Sequence, residues 1–71
     1  MDASVLRLWR VRKRHQHLDA LLSSTSGDWI IEFRRDDRPL LTWTFPTEAD
    51  ARAQADLRLR DLQRAGWTTH W

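Results

Sequence analysis

The side chains in this sequence with chemistry to offer are mostly cationic. Arg7, Arg10, Arg12, Lys13 and Arg14 crowd the first fourteen residues with Asp2 as the only opposing charge, whereas the remainder carries seven Arg against nine acids. A guanidinium presents a planar fork of donors that matches phosphate oxygens, and neutralising phosphates releases condensed counterions, so such a run points to nucleic acid. His15 and His17 stand beside a prospective turn near Asp19. A His-x-His pair has metal-ligand chemistry but lacks the third and fourth ligands of a structural zinc site. The same histidines with Ser23 or Ser24 make no nucleophile, base and orienter set, because strand pairing would separate them along the chain. No catalytic residue, metal or cofactor is therefore expected, and the chain reads as a non-enzyme.

The bulk properties set the frame for those residues. Seventy-one residues that are 41% hydrophobic and 31% charged, with two Gly, two Pro and no Cys, describe one small globular domain over 1–71. A chain of this size buries only about 60% of its unfolded surface. Without disulfides its core must come from a few large groups, and five Trp and two Phe supply them. So short a chain also has little material to line a deep small-molecule pocket. The pI of 10.4 overstates the basicity. Net charge is only +2, and with no Cys, no Tyr and a single Lys almost nothing titrates between His and Arg. Eleven Arg to one Lys, with seven Ala, also fits a GC-rich coding sequence. Apolar runs stop at two or three residues, such as Trp29-Ile30-Ile31, so neither a membrane helix nor a secretory h-region is expected. Together with the absence of Cys this gives a cytoplasmic expectation.

Periodicity then supplies the elements. Trp29, Ile31 and Phe33 alternate, as do Leu41, Trp43 and Phe45, predicting two half-buried strands at about 29–35 and 39–45. Setting Phe33 against Leu41, Ile31 against Trp43 and Trp29 against Phe45 keeps every large apolar group on one side. A two-residue Asp36-Asp37 turn would slip that register by one and put Ile31 opposite Thr42, so a three- or five-residue loop is expected around Asp36 to Pro39. From Glu48 to Ala65 helix formers fill nearly every position, with Thr47 as N-cap and Glu48 and Asp50 in the first turn. Ala51, Ala55, Leu59, Leu62 and Ala65 share one arc, and Arg52–Asp56 and Asp56–Arg60 are spaced to pair on the opposite face. Arg58 falls inside the apolar arc. Either its stem lies over the sheet with the guanidinium at the edge, or the helix is rotated. Gly66 suits a left-handed C′ position, with Trp67 packing back on Leu62 and a tail at 66–71.

The first twenty-two residues fit a helix less well than a second hairpin, with strands at about 5–13 and 18–24. A four-residue loop Arg14–His17 would set Val11 against Ala20, Trp9 against Leu22 and Arg12 against Asp19. Ser23 to Asp28 forms the next turn, and pairing Ala20 with Phe33 puts Asp19 across from Arg34 rather than Glu32. The expected architecture is α+β: a four-stranded antiparallel β-meander with one C-terminal helix on one face.

Leu8-Trp9-Arg10-Val11-Arg12-Lys13, Leu18-Asp19-Ala20, Phe45-Pro46-Thr47 with the Ala-rich helix, and Gly66-Trp67 resemble a family of small uncharacterised bacterial proteins of about this length. The resemblance spans nearly the whole chain, implies the strand, strand, strand, strand, helix order, and implies no catalytic residues. The chain departs from it at Asp37, where such proteins often carry Gly. Over Trp29 to Leu62, the strand pair, Phe-Pro-Thr and helix with Ala at four-residue spacing are similar to the sheet-plus-helix DNA-binding arms of phage-type integrases. That second resemblance implies DNA as a partner.

Two surfaces emerge as candidates. The outer sheet face would carry Arg10, Arg12, Arg34, Thr42 and Thr44, with Lys13 and Arg14 at its rim, facing phosphates and base edges. Asp19 and Glu32 share that face and subtract from its field; without a nucleic-acid partner it is an ordinary solvated face. The second surface is the apolar edge strand 40–45, with Leu40, Thr42 and Thr44 open to another protein or a second copy. Pro39, Pro46 or the Thr68–Trp71 tail would blunt or cover it instead. Trp9, Trp29, Trp43 and Trp67 are assigned to the core, and Trp71 has no assigned neighbour. The first-choice function is weak nucleic-acid binding; the alternative is protein interaction or homodimerisation.

Overall fold

A computed structural model describes residues 5–69. Its elements are β1 (Leu6–Lys13), β2 (Gln16–Thr25), β3 (Asp28–Arg35), β4 (Arg38–Phe45), α1 (Glu48–Arg64) and β5 (Thr68–Thr69). The first four strands form the expected antiparallel meander with α1 on one face, a two-layer α+β fold. The short fifth strand is an addition. It pairs antiparallel with β1 through Val11↔Thr69 and Arg12↔Thr68, giving the order β4-β3-β2-β1-β5. The tail thus covers the β1 edge at Val11 and Arg12 and leaves β4 as an outer strand. Trp71 lies outside the described residues.

All three hairpins close with two-residue turns, Arg14-His15, Ser26-Gly27 and Asp36-Asp37. Ser26 and Gly27 both have positive φ (46° and 90°), as do Asp36 and Asp37 (50° and 68°), the pattern of a type I′ turn. Arg14 alone is positive in its turn (57°), the pattern of type II′. This corrects the longer loops expected at Arg14–His17 and Asp36–Pro39. Around Asp36-Asp37 the expected register survives, with Phe33↔Leu41, Ile31↔Trp43 and Trp29↔Phe45. A bulge reconciles the two: Phe33 pairs with Leu41 but Arg34 with Pro39, so Leu40 is the extra residue. The β2–β3 ladder follows expectation, with Ala20↔Phe33, Leu22↔Ile31 and Asp19↔Arg34. The β1–β2 ladder does not. Trp9 faces Ala20, Val11 faces Leu18, and Arg10 rather than Arg12 faces Asp19, because the shorter turn moves the register by two.

The inner face buries Trp9, Val11, Ala20, Leu22, Ile31 and Phe33 under Ala51 and Ala55 of α1. Small residues at the crossing let the helix lie close, and the aromatic mass fills the space beside it. Ala20 leaves room for Trp9 and Phe33 to meet over it, their ring centroids 5.9 Å apart, and Phe33 continues edge-on to Trp43 at 6.0 Å. The Trp9 indole N–H donates to the Ala55 carbonyl at 2.9 Å, fastening β1 to the helix. Trp29, Trp43 and Trp67 are half-buried against this core.

The helix ends are built as their residues predict. Thr47 is extended, and its hydroxyl accepts from the Asp50 N–H at 3.1 Å. At the other end Gly66 has φ 101°, its N–H donates to Gln63 O, and the Trp67 N–H donates to Leu62 O, the paired bonds of a Schellman motif. Arg58 resolves to the first of its two alternatives: its guanidinium carbon stands 4.9 Å from the Trp43 ring centroid, over the inner face at the sheet edge. Asp56 pairs with Arg60 at 3.0 Å as spaced, while Arg52 turns back to Glu48 at 2.7 Å instead of Asp56.

Candidate functional site

Among the described residues no element covers the sheet face opposite α1, and the cross-strand register lays its side chains out in rows. One row runs Pro39, Arg34, Asp19, Arg10 across four strands. The next, away from the Asp36-Asp37 turn, runs Thr42, Glu32, Leu21, Arg7, and Thr44, Ile30 and Ser23 follow. On the other side of the first row, His17 pairs with Arg12, which pairs with Thr68. Four arginines therefore share the face: Arg7, Arg10, Arg12 and Arg34.

Arg7 is the member that alternation misses. Counting by twos from Trp9 would turn Arg7 inward, but the register shifts between Arg7 and Trp9, leaving Leu8 as an extra residue. The bulge reverses the parity of everything before it, so Leu6 faces Leu22 inside and Arg7 faces Leu21 outside. Lys13 moves the other way. Expected at the rim of the outer face, it reaches beneath the sheet and donates from Nζ to the Ala65 carbonyl at 2.7 Å, where a cation meets the exposed carbonyls of the helix C terminus. Arg14 occupies the β1–β2 turn and holds the Arg12 Nε–H through its carbonyl at 3.1 Å.

The two carboxylates of the face are already engaged. Asp19 is 4% exposed, and its Oδ1 lies 3.3 Å from Arg10 Nε, an ion pair whose geometry falls short of a hydrogen bond. Glu32 accepts from Arg34 Nε at 3.0 Å. Among the described residues no carboxylate lies within ion-pair distance of Arg7 or Arg12. The net positive field of the face therefore comes from these two, while Arg10 and Arg34 are oriented by their partners and keep other donors for a ligand. Thr42 and Thr44 present exposed hydroxyls on β4. The described tryptophans all belong to the opposite face, so base stacking is not built into this surface.

Beyond this face the chemistry is sparse. Among the described residues no group of three or more His, Cys, Asp and Glu is placed to hold a metal ion. His17 donates its backbone N–H to Asp36 Oδ1 at 3.0 Å and accepts from the Asp36 N–H at 3.0 Å, which ties the Asp36-Asp37 turn to the start of β2. No described helix is long and apolar enough to cross a membrane. Leu40 is 59% exposed at the bulge of β4, and Thr42 and Thr44 follow it along the outer strand.

No protein-family model matches this chain, and neither does any curated protein or any solved structure.

Proposed function

We propose that this chain is a non-catalytic binding module that holds nucleic acid, in a cytoplasmic setting, through the open face of its sheet. The observation that carries the reading is the placement of Arg7, Arg10, Arg12 and Arg34 on one sheet face whose only two carboxylates, among the described residues, are each held by an arginine of the same face. Arg10 and Arg34 stand two strands apart, about 10 Å at ordinary strand spacing, a span comparable with a major groove about 12 Å wide. With every described tryptophan on the helix side, the open face favours duplex backbone over stacked single strands. Thr42 and Thr44 add hydroxyls that reach phosphate or base edges.

The test is a fluorescence-anisotropy titration of a labelled duplex of arbitrary sequence, repeated over a salt series. Binding should weaken steeply with salt, with a log–log slope between about −2 and −4 according to whether two or four arginines engage phosphates. No binding at low ionic strength, or binding indifferent to salt, refutes the reading.

A further inference from the structure

The two edges of the sheet differ. β5 covers Val11 and Arg12 of β1, whereas among the described residues β4 has a neighbour only on its β3 side. An unpaired strand offers a row of backbone donors and acceptors to any chain that can lie alongside, and sheet proteins usually blunt such edges with charges, prolines, bulges or brevity. Here Pro39 and the Leu40 bulge blunt only the start of β4. The regular stretch that follows, Leu41 to Phe45, contains no charged residue.

We infer that β4 is a self-association edge, pairing antiparallel with β4 of a second copy about a two-fold axis at Trp43, the midpoint of that regular stretch. In this register Leu41 faces Phe45 of the other copy, Trp43 faces Trp43, and Thr42 faces Thr44. The pairing keeps every apolar side chain on the helix side and every hydroxyl on the open side, so one strand complements itself on both faces. The overhang supports it: Leu41 is 39% exposed, and Trp43 and Phe45 are only half-buried in the single chain. A second copy would continue the apolar layer past the sheet edge. Leu41–Phe45 itself carries no charge to repel the copy or to select a differently charged partner strand; the cation beside the axis is the exposed Arg58 over Trp43, whose repulsion of its copy salt would screen. A strand pair of this length lies at the small end of interface sizes, so association is concentration-dependent rather than permanent.

Sedimentation equilibrium without nucleic acid, over a wide range of protein concentration, tests this. The mass should rise from 8.5 kDa toward twice that value. The seam has no ion pair across it and lies beside Arg58, so association should hold or strengthen with salt, the reverse of phosphate binding. The double variant Thr42→Lys and Thr44→Lys sets lysines against lysines across the axis from positions exposed in the single chain; it should keep the native circular dichroism and raise the dissociation constant at least tenfold. Amide exchange should slow with concentration at alternate residues of Leu41–Phe45. A wild type that stays monomeric, a lysine variant that associates equally well, or exchange indifferent to concentration each overturns the inference. The first would leave the edge to a strand from another protein. Because no nucleic acid is present, none of these outcomes bears on the phosphate-binding face.

Discussion

Asp19 sits mid-face on the uncovered side of the sheet yet shows only 4% of its surface to solvent. Its cross-strand neighbours are both arginines, Arg10 on one side and Arg34 on the other, and Arg10 Nε approaches to 3.3 Å. The carboxylate has two opposed effects. It holds Arg10 in place, and it subtracts from the field the arginines present. Replacing Asp19 with Asn should therefore separate stability from binding. Losing the charged partner of Arg10 should lower the unfolding free energy by about 1–2 kcal/mol in urea denaturation. The same change should tighten duplex binding severalfold at low salt, since the face gains a positive charge. A folded D19N protein that binds duplex more weakly than wild type would contradict the assignment of this face.

At the scale of elements, the turns show what the sequence could and could not disclose. Trp29, Ile31 and Phe33 have large apolar partners on β4; a one-residue slip of β3 against β4 would set them against residues of the other face and a two-residue slip would leave one of them without its partner, so the register was readable from the residues alone. The Leu40 bulge was not, because alternation assumes one residue per position. Discounting a bulge is what made a two-residue Asp36-Asp37 turn look incompatible with the pairing. β1 is harder to read for the same reason. Its bulge at Leu8 has no Gly or Pro to announce it, and it reverses the sides of Leu6 and Arg7. The candidate site drawn from alternation thus lost Arg7. Lys13, assigned to the rim beside the turn, shares the inward parity of Trp9 and Val11, and its attachment to the helix C terminus depends on the tertiary placement of Ala65. The helix was legible to within a residue at both ends because its stop and start signals are local.

The Asp36-Asp37 turn also makes a quantitative prediction. Left-handed backbone costs an ordinary L-residue about 1–2 kcal/mol, somewhat less for Asp, and type I′ turns favour Gly at the second position. Asp37 stands there at φ 68°. Asp36 has a separate role, because its carboxylate and N–H both bond to His17. Asp37→Gly should thus raise stability by about 0.5–1 kcal/mol, a gain of several degrees in thermal midpoint for a domain of this size. Asp36→Gly relieves the same backbone but loses the bond to His17 N, and should gain less or nothing. Parallel thermal melts check the order of the pair; equal gains would mean that the Asp36 carboxylate contributes nothing to the turn.

Over the whole molecule, 37 Å in its longest dimension, charge is divided between the two ends. The antiparallel order gathers the turns Arg14-His15 and Asp36-Asp37 at one end with the helix C terminus, and with them Arg12, Lys13, Arg14, Arg35, Arg38 and Arg64 against Asp36, Asp37 and Asp61. Asp28, Glu48 and Asp50 lie at the other end with the helix N terminus. A duplex could be drawn to the open face or to the cationic turn end, and Arg12 serves both. Arg7 and Arg38 separate them: Arg7 lies toward the far end of β1 on the open face, whereas Arg38 pairs with Arg35 beside the turn, on the opposite side of the sheet. If the duplex lies along the face, Arg7→Ala with Arg12→Ala should reduce the steepness of the salt dependence by about 2, near 0.9 for each phosphate that is no longer neutralised. Arg35→Ala with Arg38→Ala should leave that slope nearly unchanged, because general attraction to a distant charge is largely screened beyond about 10 Å at 0.1 M salt. The reverse outcome would move the binding surface to the turns, and the open face would then owe its arginines to holding Asp19 and Glu32 rather than to phosphate.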